Sequence, residues 1–223
     1  MPQLIAMVIV VVGAMIYMFQ TFGGTGDKIE GVAQKASIIT EINNIKDGVK
    51  IAAKSGHIEA TADAATDAAA GLKGLADLAY FAEQINEQLI NNTTTGDDDN
   101  TYNAISFGGT DTASGGMKIS LYSIQNKIPG IFVDLGFTNG SLSSNAAFLE
   151  AQVANDLKSI AHIDRGIVVA SDGTITPGTV DWQATPSKLE LRMPKNTTTT
   201  ADTLKDGKFI IYFNDFGSDE IVK

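Results

Sequence analysis

From Leu4 to Phe19 the chain is an unbroken apolar run, extended by Gln20, Thr21 and Phe22. At about 1.5 Å per residue, a helix over residues 4–22 approaches the thickness of a bilayer core. Residues 1–26 carry no charge, so all 26 acidic and 16 basic side chains lie from Asp27 onward. Burying each large apolar side chain is worth about 1.5–3 kcal/mol, so outside a membrane such a helix must pack against copies of itself. The side chains expected to form that packed core are Leu4, Ile5, Val8, Val11, Val12, Met15, Ile16 and Phe19. A secretory signal has a basic region before its apolar stretch, whereas only Met1, Pro2 and Gln3 precede this one and no lysine or arginine occurs before Lys28. A basic leader ending in a small residue, removed just before Met1, is therefore expected.

Three glycines, Gly23, Gly24 and Gly26, follow at once, and each costs a helix roughly 1 kcal/mol. They predict a break or kink between two helical segments. Beyond it Val32, Ala36, Ile39, Ile42, Ile45, Val49 and Ala52 recur at steps of three and four, with Lys28, Glu30, Lys35, Glu41 and Lys46 largely off that stripe. The reading is an N-terminal helical unit over 1–54, hydrophobic to 26 and amphipathic over 27–54, closed by Ser55 and Gly56. An alanine-rich stretch with Leu72, Leu75, Leu78, Ile85 and Leu89 predicts a second helix within 55–92.

Residues 93–223 read as a head of mixed structure. The polar stretch Asn91 to Asn100 marks its start. Strands are expected over Lys118 to Ile124, Ile131 to Leu135, Lys188 to Met193 and Lys208 to Phe213. A hairpin is expected from Gly166 to Thr176 through Asp172 and Gly173, because Asp-Gly supplies the positive φ of tight turns. Between them Leu149, Val153, Leu157 and Ile160 form one helical face, with Ser143 or Ser144 as cap and an end near Ala161. The fold class is α+β: a long N-terminal helix packed on a compact head with an antiparallel sheet.

Chemical motifs are sparse. A formal net charge of -10 repels phosphate backbones, and no basic patch stands out, so nucleic acid is not an expected partner. Without cysteine there is neither a disulfide nor a thiolate. His57 and His162 lack zinc-site spacing, and Asp215-Phe216-Gly217 matches a kinase tripeptide by letters alone. Asp97, Asp98, Asp99 and Asn100 lack the alternation and distant glutamate of a calcium loop, so a solvated loop is the simpler reading. No cofactor, metal or catalytic constellation is expected, and the chain reads as non-enzymatic. Asn92, Asn139 and Asn196 begin glycosylation sequons that would suit an exposed filament, although polar loops explain them equally. Trp182 and Phe137 are aromatic candidates for a partner contact, with packing beside strands as the alternative.

A charge-poor apolar helix that turns amphipathic and feeds a compact head resembles a type IV pilin, and the order of helix then strands over Ser144 to Ala170 is similar to the IVb branch. The resemblance covers residues 1–54 and, in the head, only the order of elements. It implies a structural subunit of an extracellular helical homopolymer, held in the inner membrane before assembly and handled by a pilus assembly machinery. Adhesion, twitching, DNA uptake and conjugative contact are all compatible with it. The sequence departs from the family at Ile5, where a glutamate is usual, so register would come from elsewhere, with Gln3 a candidate. It also lacks the family's C-terminal disulfide, and Phe22 with the glycine-rich break replaces its usual proline. The competing reading is a single-pass membrane anchor bearing a surface binding domain.

Overall fold

Isoleucines and small residues spaced three and four apart give the N-terminal helix its buried face. The computed structural model describes residues 31–59, 71–91, 100–104, 115–137, 140–169, 175–176, 205–217 and 219–223. Within them helix α1 covers 31–55 and buries Ile38, Ile42, Ile45, Val49, Ala52 and Ala53. Val32 and Ala36, expected on that stripe, are exposed, and Ile38 replaces them as its first member. The helix closes on Gly56 at φ +73, where Gly56 N–H donates to Ala53 O and His57 N–H to Ala52 O. That paired closure needs a left-handed residue just past the helix, which glycine supplies without strain.

The expected second helix is instead two short ones, α2 (Leu72–Asp77) and α3 (Glu83–Ile90). The break falls at Ala79, which has φ 58. Ala79 N–H donates to Ala76 O and Tyr80 N–H to Leu75 O, the same closure as at Gly56 but with an alanine in the left-handed position. Leu72, Leu75, Ile85 and Leu89 are buried, whereas Leu78 is exposed where the helix stops.

Among the described residues seven strands follow: β1 (Thr101–Ala104), β2 (Met117–Tyr122), β3 (Gly130–Asp134), β4 (Ala161–Asp164), β5 (Val168–Val169), β6 (Ile175–Thr176) and β7 (Lys208–Phe213). Five form an antiparallel sheet in the order β1-β2-β3-β7-β4, and β5 pairs β6 in a small antiparallel ribbon. Register aligns Tyr102, Ile119, Val133 and Phe209 across one face, with Ile131, Ile211 and Ile163 beside them. α1 covers this face, since the Tyr102 hydroxyl donates to Glu41 at 3.1 Å and Lys46 Nζ sits 4.9 Å above the Phe213 ring. On the opposite face Phe132, Ile210, Tyr212 and Asp164 are also buried, so β7 reads as a continuous apolar run.

Helix α4 (Ala146–Leu157), entered through a 3-10 turn at Ser143–Asn145, stops earlier than expected. Its residues Leu149, Val153 and Leu157 are buried as a face, while Ile160 is exposed in the turn beyond. Ser143 does not cap α4; its hydroxyl donates to Gly140 O at 2.8 Å. The residues after the turn form β4 because Ala161 meets Phe213 and Ile163 meets Ile211 across the ladder, a tertiary pairing that overrides helical spacing. The expected strand over Lys188 to Met193 lies outside the described residues.

Candidate functional site

The most organised polar chemistry lies along α1, where it meets the head. Asp215, just past β7, accepts from Lys46 Nζ at 2.9 Å and Lys50 Nζ at 3.1 Å. Lys50 also donates to the Asp215 carbonyl at 2.6 Å and lies 5.9 Å above the Phe216 ring. Burial pushes the Asp215 carboxyl up, but the two lysine hydrogen bonds and their charges outweigh it and hold the group below the ordinary aspartate range. At Tyr102 burial and then the Glu41 charge push the phenol up, so it remains a hydrogen-bond donor to α1. Gly48 lets the segment between α2 and α3 approach α1 closely: a Cβ there would lie 2.7 Å from the Tyr80 carbonyl oxygen and collide with the Phe81 ring.

Two further contacts tie α4 to α1. Lys35 Nζ and Asp156 Oδ2 pair at 2.6 Å, and a Cβ on Gly31 would sit 3.4 Å from Cε1 of Phe148. α4 is held in turn by its fully buried Glu150. One carboxylate oxygen accepts from Arg165 Nε at 2.6 Å and the other from Gly207 N–H at 2.8 Å. Gly207 has φ +84 and a Cβ there would lie 2.5 Å from that of Ala146, so only glycine fits this junction.

The last residues close the head at the other end of α1. Asn126 N–H donates to Val222 O, Val222 N–H to Lys127 O and Lys223 N–H to Ile58 O, each at 2.9 Å, and Val222 is buried. Backbone hydrogen bonds thus join this segment to the turn between β2 and β3 in a chain without cysteine.

No family model, curated protein or solved structure matches the chain. What the arrangement can do must be read from the residues alone. His57 hydrogen-bonds the Tyr80 hydroxyl, and His162 lies on β4 with its ring 6.3 Å from that of Tyr212; the structure does not bring the two together. Among the described residues no group of three or more His, Cys, Asp or Glu is placed to hold a metal ion. Asn100, considered as an oxygen ligand, spends its side chain on backbone: it accepts from Leu72 N–H and Leu121 N–H and donates to Leu121 O. Phe216 is buried beneath Lys50, and Phe137 receives Lys118 Nζ at 5.2 Å.

The expected packing residues Leu4, Ile5, Val8, Val11, Val12, Met15, Ile16 and Phe19 lie outside the described residues. So do Gly23, Gly24 and Gly26, the sequon residues Asn92, Asn139 and Asn196, and Asp97, Asp98, Asp99 and Trp182. Among the described residues no helix is long and apolar enough to cross a membrane. Sequence reasoning missed Glu150 and Arg165. A signal existed, since Ala146, Glu150, Val153 and Leu157 share one helical face and a carboxylate interrupts it.

Proposed function

We propose that the chain is the structural subunit of an extracellular helical filament of the type IV pilin kind, assembled through its hydrophobic N-terminal segment. One observation carries the reading: burial along α1 is graded toward the uncharged N-terminal segment. From Ile38 to Ala53 the helix is core, whereas at its first described turns Val32 and Ala36 are exposed. Among the described residues α1 is therefore packed from Ile38 onward, while the turns nearest the apolar run leave Val32 and Ala36 exposed. Contacts that do not close on themselves generate an open helix from one kind of subunit.

In this reading Leu4, Ile5, Val8, Val11, Val12, Met15, Ile16 and Phe19 pack with copies of themselves at the filament axis, and Gly23, Gly24 and Gly26 let the head tilt. The segment rests in the inner membrane before the assembly machinery draws it into the fibre. The acidic heads face outward. The chain works as a building unit and needs no cofactor.

The test is the full chain carrying Val11→Asp beside a chain that begins at Asp27. A carboxylate in a dry core costs several kcal/mol per subunit, so Val11→Asp should abolish fibres in negative-stain microscopy while the head still melts cooperatively. The shortened chain should elute as a folded monomer. Fibres that persist without residues 1–26 would sink the proposal, as would a wild-type chain that stays monomeric in membranes under all assembly conditions.

A further inference from the structure

We draw no further inference here: the strongest candidate, the cluster of Tyr122, Tyr212, His162 and Asp164 on the sheet face opposite α1, carries nothing because Tyr212 and Asp164 are buried there and nothing in the structure shows what covers that face.

Discussion

Replacing Glu150 tests how α4 is held. Glu150 is fully buried and serves two donors, Arg165 Nε at 2.6 Å and Gly207 N–H at 2.8 Å, while the Arg165 side chain keeps 18% exposure. Glu150→Ala removes the carboxylate and leaves a guanidinium and a backbone N–H without their acceptor. Breaking a buried ion pair on one side costs about 3–5 kcal/mol, and the partial exposure of Arg165 argues for the lower end, about 3 kcal/mol. For a chain of this size each kcal/mol shifts Tm by about 2–4 °C, so the melt followed by circular dichroism should fall by roughly 6–12 °C. Arg165→Met should also be strongly destabilising, because it strands the buried carboxylate with the Gly207 bond alone. Combining Glu150→Leu with Arg165→Met should be milder than Arg165→Met by itself, since the buried charge is gone. A Glu150→Ala protein melting within about 2 °C of wild type would refute the reasoning, and so would a double variant worse than either single.

Ala79→Gly should stabilise the head by about 0.5–1 kcal/mol in urea unfolding, because Ala79 sits at φ 58 and glycine removes the left-handed strain at a smaller entropic cost; a loss of stability would show that the alanine methyl matters more than its backbone. Asp215, held below the ordinary range by Lys46 and Lys50, is a depressed carboxylate, so its contribution is present above the unfolded pKa of about 3.9 and is lost as pH falls through the folded value. The stability gap between wild type and Asp215→Asn should therefore be steady at neutral pH and shrink below about pH 4; a gap independent of pH would contradict the pairing.

Legibility followed the range of the forces involved. The strand Lys208–Phe213 was readable because a short run of five β-branched and aromatic residues just after Asp206-Gly207 suits a strand covered on both faces, and the end of α1 was readable because Gly56 is the residue its closure requires. Ala79 defeated the same logic, since alanine is the best helix former and nothing local announces a left-handed residue there. β4 was hidden in a helical spacing that ran through Ile160; its identity comes from Phe213 and Ile211, about fifty residues away in sequence. Val32 and Ala36 obey the helical period as well as Ile42 does. Periodicity records which face is apolar and not which turns the head reaches. The polar anchors were illegible for a related reason: Lys50 and Asp215 are 165 residues apart, and only the folded sheet makes them neighbours.

The first turns of α1 carry the consequence. Isolated helical turns in water are marginal, and most helical stability in proteins comes from packing an apolar face. From Ile38 onward that face is packed against the sheet, whereas over 31–37 Val32 and Ala36 are exposed, the Phe148 ring lies over Gly31 and Lys35 pairs with Asp156. An exposed ion pair contributes little, about 0–1 kcal/mol, and half-exposed Phe148 offers only part of its burial energy. No residue of α1 over 31–37 is buried, so these turns draw less on a packed apolar face than the rest of the helix does.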